Sequence, residues 1–277
     1  MKTILLHIHD DAGQESRLLA AIGFARLCNG HIICLQVAPI EPYSSDPYSG
    51  LFGLSELIYS LRDQDKQARL AIEARLRSEN VNWSWKYNED GAIGALVGEA
   101  QLADIVILSQ PGHGRNAPDH PLAIIGDVVL NIRSPVLMVP TNADRRKDLV
   151  TPGFDAVGSA VLAWNGSAEA ANAMRLTRPL LAKADCIHII EVGEITSGLP
   201  SEGAMAYLSR HGIRSELHEW PAKGRSVCDA LLNAAAELDA SCLVIGAYGH
   251  SRLRETILGG ATRDLIASAT IPLLLAH

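Results

Sequence analysis

Several features that mark common classes of protein are scarce or missing in this sequence. Aromatic residues make up only 5% of the 277 residues, and the five cysteines (28, 34, 186, 228 and 242) form no C-x-x-C pair. No apolar run is long enough to span a bilayer, and no signal peptide precedes the first apolar segment. Asp and Glu (31) outnumber Lys and Arg (24), which leaves a net charge of −7.

Each absence argues against a class of protein. Without paired cysteines or the His and Cys spacing of zinc sites, we expect reduced, buried thiols and no metal site. The acidic balance argues against a nucleic-acid partner, because binding to a phosphate backbone requires clustered Lys and Arg. The lack of a signal peptide and of a membrane span predicts a cytoplasmic protein with no membrane partner.

The chain contains one unit twice. The hydrophobic fraction is 48%, rich in the small and branched aliphatic residues typical of α/β proteins. When the C-terminal half is shifted back by 137 positions, residues 103–140 align with residues 240–277 without a gap. The identical pairs in this register include Gly112 and Gly249, His113 and His250, Arg115 and Arg252, Asp127 and Asp264, and Pro135 and Pro272. The sequence therefore predicts a tandem duplication.

The two halves differ by an insertion. Near the start of each half the offset is 155 instead of 137, so the first half carries 18 extra residues. Residues 39–60, rich in Pro, Ser, Tyr and Gly, are predicted to form this insertion as a surface loop. Charge, Pro and Gly without an apolar pattern predict a linker at 143–158. We therefore predict two domains, at 1–142 and 159–277.

Each unit is predicted to alternate five strands with four helices. In the second half the predicted strands are 159–164, 186–192, 213–219, 242–246 and 271–276, and the predicted helices are 167–183, 201–211, 226–239 and 260–269. Such alternation implies right-handed crossovers and a parallel sheet covered on both faces. The predicted fold class is α/β, with two tandem open-twisted five-stranded parallel sheets of the Rossmann-like type and helices on both faces.

Glycines follow the fourth predicted strand of the second half, at the edge where open α/β sheets bind ligands. Gly246, Gly249 and Gly259 have the spacing Gly-x2-Gly-x9-Gly and lead into a predicted helix. Glycines in this position let backbone N–H groups close on an anion, and the helix N-terminus adds a favourable dipole. The spacing matches neither a P-loop nor the dinucleotide fingerprint Gly-x-Gly-x-x-Gly. We therefore predict a phosphate-binding loop over residues 246–262.

This loop, with the strand-Asn165-Gly166-Ser167 turn, resembles the nucleotide site of the universal stress protein family. The resemblance covers nearly the whole chain, twice, and implies an adenine nucleotide whose base lies near Asn165 and Val192. Gly260 stands where the family has Ser or Thr, and Asn165 stands where it usually has Asp. The implied nucleotide-binding residues are Ala163, Trp164, Asn165, Gly166, Ser167, Val192, Gly246, Gly249, His250, Ser251, Arg252, Gly259, Gly260, Ala261 and Thr262. His250 and Arg252 could contact phosphate oxygens or be solvated loop residues.

The first half has lost most of this site. Ser109 aligns with Gly246, and apolar side chains at 122 and 123 replace the two glycines at 259 and 260. Pro111 also removes a backbone donor. The elements that remain are His9, Asp10 and Gly112. We therefore expect a degenerate site that does not bind a triphosphate well and has become structural or regulatory.

The resemblance implies a stress-response protein that binds ATP, with ADP or AMP as alternatives and Mg²⁺ accompanying ATP, and acts as a switch or scaffold. No catalytic residue is predicted, because a Walker lysine and a Ser-His-Asp order are missing, so at most a slow ATPase is expected. The alternatives are a weak ATPase or phosphotransferase and a nucleotide-independent interaction module. Members of the family commonly dimerise through their last strands, which predicts pairing of residues 135–140 with 272–277 inside this chain. A homodimer and an unidentified protein partner stay open.

Overall fold

A computed structural model describes residues 1–37, 54–88, 91–110, 121–141, 158–193, 198–247 and 260–277. Within these ranges the chain forms ten strands and eight helices. The strands are β1 (Thr3–Ile8), β2 (His31–Val37), β3 (Asn82–Asn88), β4 (Ile105–Ser109), β5 (Val136–Val139), β6 (Ala160–Trp164), β7 (Ile187–Val192), β8 (Ser215–Trp220), β9 (Cys242–Gly246) and β10 (Leu273–Ala276). The helices are α1 (Gln14–Cys28), α2 (Leu54–Ser78), α3 (Ala92–Ala100), α4 (Pro121–Asn131), α5 (Ala168–Leu181), α6 (Ser201–Arg210), α7 (Val227–Glu237) and α8 (Gly260–Ser268).

All ten strands belong to one sheet, in the order β3-β2-β1-β4-β5-β10-β9-β6-β7-β8. Within each half, neighbouring strands pair in parallel. The chain runs outward from β6 through β7 to β8 and then returns to β9 on the other side of β6. The strand order therefore reverses between β6 and β9, and between β1 and β4 in the first half. The predicted α/β fold is confirmed.

The two halves meet where β5 pairs antiparallel with β10, with Leu137 opposite Leu274. This is the pairing that the sequence analysis expects between residues 135–140 and 272–277. Leu137, Leu274 and their neighbours along both strands are fully buried. The pairing covers one edge strand of each parallel sheet, so neither edge presents unpaired backbone groups at this point.

Strand residues alternate between the two faces of the sheet, and both faces are covered by helices. In β1, Leu6 packs on the side of α1, α2, α5 and α6, whereas Leu5 packs on the side of α3, α4, α7 and α8. Burial on both faces explains why the central strands are continuous apolar runs rather than alternating ones. In the described ranges no helix is long and apolar enough to cross a membrane.

The described part of the predicted insertion, residues 54–60, is helical. Residues 54–60 belong to α2, so their assignment to a surface loop is wrong. Apolar residues at 54, 57, 58 and 61 have helical spacing, and the Tyr and Ser residues among them obscured this pattern. Residues 38–53 and 142–157 lie outside the described ranges, so the predicted limits of the loop, linker and domains stay predictions.

Candidate functional site

A cavity of about 340 Å³ lies at the carboxyl ends of β6 and β9. This is the point in the second half where the strand order reverses, and parallel sheets place ligand sites there because the chain leaves the two strands in opposite directions. Its volume falls in the lower part of the roughly 300–1,000 Å³ range of small-molecule sites. The predicted site residues that line it are Ala163, Trp164, Asn165, Ser167, Val192, Gly246, Gly260, Ala261 and Thr262.

Five further predicted residues lie outside the structure described here: Gly249, His250, Ser251, Arg252 and Gly259. Gly166 lies in the turn between β6 and α5 and does not line the cavity. Six lining residues were not predicted from the sequence: Ala170, Ile190, Val227, Leu231, Ile245 and Leu265. Most of them are aliphatic residues of strands and helices, whose only signal in the sequence is their place in an apolar pattern. They give the cavity an apolar floor.

The turn between β6 and α5 is held by its own polar side chains. The Oδ1 atom of Asn165 accepts the N–H of Ser167 at 3.2 Å, and Ser167 Oγ accepts the N–H of Ala170 at 3.1 Å. Ser167 is thereby the N-cap of α5, as its residue type favours. The backbone carbonyl of Gly166, whose φ is +74°, accepts the N–H of Leu199 at 2.8 Å. The turn is therefore preorganised beside the cavity.

Gly246 allows β9 to end directly against the first turn of α5. A Cβ atom at this position would lie 2.4 Å from the backbone nitrogen of Ala170 and 2.4 Å from the carbonyl carbon of Glu169. No side chain fits at that distance without moving the helix. The first glycine of the Gly-x2-Gly-x9-Gly motif is therefore required for strand–helix packing.

The N-termini of α5 and α8 both border the cavity. The first N–H groups of a helix have no partner within it and carry partial positive charge. Helix α5 has Glu169 in its first turn, whereas α8 has no acidic residue there. Its first turn, Gly260 to Thr262, is therefore the stronger site for an anion.

Trp164 lines the cavity, and its indole is fixed by a hydrogen bond of its own. Its indole N–H donates to the carbonyl oxygen of Leu199 at 3.0 Å. The side chain is 3% exposed and packs with the apolar residues on the opposite face of the sheet from Ala163. The indole is therefore held in place by the surrounding fold.

In the first half, the equivalent position beyond β1 and β4 is filled by Arg17. Its side chain is 1% exposed, and its guanidinium donates to both carboxylate oxygens of Asp11 at 2.9 Å and to the carbonyl of His9 at 2.8 Å. It also donates to the hydroxyl of Ser109, the residue aligned with Gly246. Asp10 is exposed beside this group, and Gly112 lies outside the described ranges. An arginine and its partners thus occupy the crevice that stays open in the second half.

His7 lies behind this arginine. Burial, reinforced by the adjacent Arg17 guanidinium, lowers the pKa of the His7 imidazole to about 3. The ring is stacked on that of His9, with centroids 5.9 Å apart. Because His7 is neutral, Asp11 is the one charged partner of Arg17 within the described part of the chain.

Comparison with known proteins places this geometry in a family. Residues 161–277 match the model of the universal stress protein family. The second half of the chain is a universal stress protein domain. A universal stress protein of Synechocystis sp. is 23% identical over 177 residues, which are 62% of this chain and 57% of the relative. The match thus spans little more than half of that relative's own length.

Solved structures extend the likeness to both halves. A universal stress protein from Archaeoglobus fulgidus DSM 4304 superimposes with a TM-score of 0.72 at 14% identity, over 99% of this chain and 97% of that one. A protein of unknown function from Pseudomonas aeruginosa PAO1 gives 0.59 at 15% identity, over 100% and 92%. These identities show the fold alone. Both halves of the chain are covered by these superpositions, so both have this fold.

Proposed function

We propose that the second universal stress protein domain binds an adenine nucleotide in the β6–β9 cavity. The observation that carries the proposal is the convergence of two helix N-termini on an apolar-floored cavity at the reversal of strand order. The apolar floor suits a planar base and the first turn of α8 suits a phosphate. ATP is the first candidate, with ADP and AMP as alternatives and Mg²⁺ accompanying ATP.

Each part of the cavity has a role in this proposal. Ile190, Val192 and Leu231 form an apolar surface for the base. Asn165 borders the same end of the cavity with an amide that can donate to or accept from a base edge. The backbone N–H groups from Gly260 to Thr262 receive a phosphate, and the Thr262 hydroxyl lies in the same turn. The predicted loop residues from Gly249 to Gly259 would complete the phosphate contacts.

Helix α8 offers a route from this cavity to the first domain, which supports a ligand-dependent switch or scaffold. Its N-terminus borders the cavity, and its other end meets Gln110, the residue after β4. The Gln110 side chain is 3% exposed, and its amide donates to the carbonyls of Ile266 at 3.1 Å and Ala267 at 3.0 Å. A ligand that moves or orders α8 would therefore change the contacts of Gln110 at the carboxyl end of β4.

Calorimetric titration with ATP, ADP and AMP tests nucleotide binding. We expect at least one of them to bind with a Kd below about 1 mM. Ala261→Leu puts a larger side chain into the phosphate end of the cavity and should weaken binding at least about tenfold, or about 1.4 kcal/mol. The matched control is Ala267→Leu, an exposed alanine on the same helix that does not line the cavity.

Two outcomes would contradict the proposal. If none of the three nucleotides binds below about 1 mM, the interaction module that needs no nucleotide is favoured. If Ala261→Leu and Ala267→Leu bind equally well, the ligand lies elsewhere. Phosphate release measured on the same samples should stay below about one turnover per second, because the lining described here includes no carboxylate, imidazole or amine.

A further inference from the structure

Four metal-ligating side chains meet on neighbouring strands of the second domain. Cys186 immediately precedes β7, His188 lies within β7, and Glu216 and His218 lie on β8. The strands pair in parallel with His188 opposite Glu216 and Ile190 opposite His218. Because residues two apart on a strand share a face, all four side chains lie on the same face of the sheet.

Their ligand atoms are close to one another. The Nδ1 atom of His188 lies 3.1 Å from Nε2 of His218 and 3.7 Å from Oε2 of Glu216. Nε2 of His218 lies 4.0 Å from the same carboxylate oxygen. The ligand atoms of Cys186, His188 and Glu216 all lie within 4.8 Å of one another. Cys186, His188 and Glu216 therefore face one small volume, and His218 borders it through its contacts with His188 and Glu216.

These distances are close to those of a tetrahedral zinc site. With Zn–N of roughly 2.0–2.1 Å and Zn–S of roughly 2.3 Å, the ligand atoms of such a site lie roughly 3.2–3.7 Å apart. The separations among His188, Glu216 and His218, at 3.1, 3.7 and 4.0 Å, lie within a few tenths of an ångström of this range. The Cys186 thiol, within 4.8 Å of the His188 and Glu216 ligand atoms, moves toward His218 to complete the tetrahedron. Among the described residues β8 is the last strand of the sheet and pairs with β7 alone, so fewer backbone hydrogen bonds oppose such shifts.

Burial and charge also suit a metal ion. Cys186 is 6% exposed and His188 is 8% exposed. The side chains of His218 and Glu216 are 27% and 44% exposed, which gives an ion an entry path. The Arg214 guanidinium, 72% exposed, donates to Oε1 of Glu216 at 2.9 Å and leaves Oε2 directed to the histidines. Arg214 is thus placed to orient the carboxylate from the solvent side.

We propose that Cys186, His188, Glu216 and His218 form a Zn²⁺ site that joins the edge strand β8 to β7. Thiolate, imidazole and carboxylate together are ligands that zinc accepts in proteins, and four protein ligands make a closed, structural site. Binding displaces the thiol proton of Cys186 into solvent, and the sulfur, nitrogen and oxygen lone pairs fill the coordination positions. The site is separate from the cavity, which begins further along β7 at Ile190.

The test is metal binding by the full chain after removal of bound metal with a chelator. The wild-type protein should bind one Zn²⁺ per chain in competition with a chromophoric chelator. Co²⁺ in its place should give intense tetrahedral d–d bands and a thiolate-to-cobalt charge-transfer band. A protein that binds no Zn²⁺, or Co²⁺ spectra of six-coordinate type without a thiolate band, would overturn the proposal.

Variants locate the ion. Cys186→Ser and Glu216→Gln should each weaken Zn²⁺ binding by more than the roughly 10–100-fold that loss of an outer partner costs. The controls are Cys228→Ser, a cysteine of similar burial on α7, and His211→Gln, an exposed histidine after α6. Both controls should bind as the wild type does. Equal affinity in all four variants would refute the assignment, and the half-exposed Glu216 provides a variant with little risk to folding.

Discussion

Replacing Arg17 with methionine should lower the free energy of unfolding by about 3 kcal/mol. The guanidinium is almost fully buried and donates to Asp11, to Ser109 and to the carbonyls of His7 and His9. Methionine keeps the aliphatic stem but removes all of these hydrogen bonds, and a buried acceptor left without a donor costs roughly 1–3 kcal/mol. Asp11 Oδ1 still accepts from the N–H of Gly13, and the His9 carbonyl still accepts from the N–H of Asp11. Asp11 is 37% exposed, so water can replace the lost guanidinium. The loss of unfolding free energy should therefore lie near the lower end of the roughly 3–5 kcal/mol that breaking a buried ion pair costs.

Urea denaturation followed by tryptophan fluorescence measures this effect, as a lower midpoint with an unchanged m value. The matched control is Arg26→Met on the same helix. The Arg26 side chain is 56% exposed and pairs with Glu79 at the surface, so its loss should cost less than about 1 kcal/mol. Equal losses in the two variants would show that the buried network around Arg17 does not stabilise the first domain.

Leu274→Ala should lower the free energy of unfolding by about 3–4 kcal/mol. Leu274 is fully buried in β10 and lies opposite Leu137 of β5 in the one strand pair that joins the halves within the described sheet. The loss combines the transfer free energy of the removed carbons with a cavity that two paired strands cannot collapse to fill. Because β10 belongs to both the second domain and the junction, we expect the transitions of the two halves to shift together.

A double-mutant cycle separates the contact between β5 and β10 from the packing of each leucine in its own domain. Leu137→Ala combined with Leu274→Ala should show a coupling of at least about 0.5 kcal/mol, because the side chains are cross-strand neighbours. The control is Leu102→Ala, whose side chain is 88% exposed and whose loss should stay within about 0.5 kcal/mol. Strict additivity of the two core variants would argue that β5 and β10 are not paired in solution.

Most of the fold was predictable because its signals are local or repeated. The strand at 160–164 and the helix from 168 to 181 lie within two residues of their predicted limits, since a short apolar run and a 3.6-residue apolar spacing are each complete within the segment. The start of α2 was missed. There the helical spacing of four apolar residues is interleaved with Ser and Tyr, which are typical of loops.

The candidate site was predictable in part. Asn165, Gly246 and Gly260 do border one cavity, as expected from their places after parallel strands and before helices. The apolar residues that line the cavity could not be distinguished from core residues in the sequence. Ile190 and Leu231 belong to the same apolar strand and helix patterns as residues that only pack in the core. Trp164 was predicted among the nucleotide-binding residues, and the hydrogen bond of its indole to Leu199 depends on a segment about 35 residues away.

The sequence by itself determined that the chain is a duplicated α/β unit, and that the second copy keeps the glycines of a phosphate loop while the first does not. Those properties depend on the order and spacing of residues along the chain. Only the tertiary structure decided that Arg17 fills the first crevice, that Cys186, His188 and Glu216 lie together, and that His218 contacts His188. Strand register and packing between distant segments set both, and no local pattern encodes which side chains face each other across neighbouring strands.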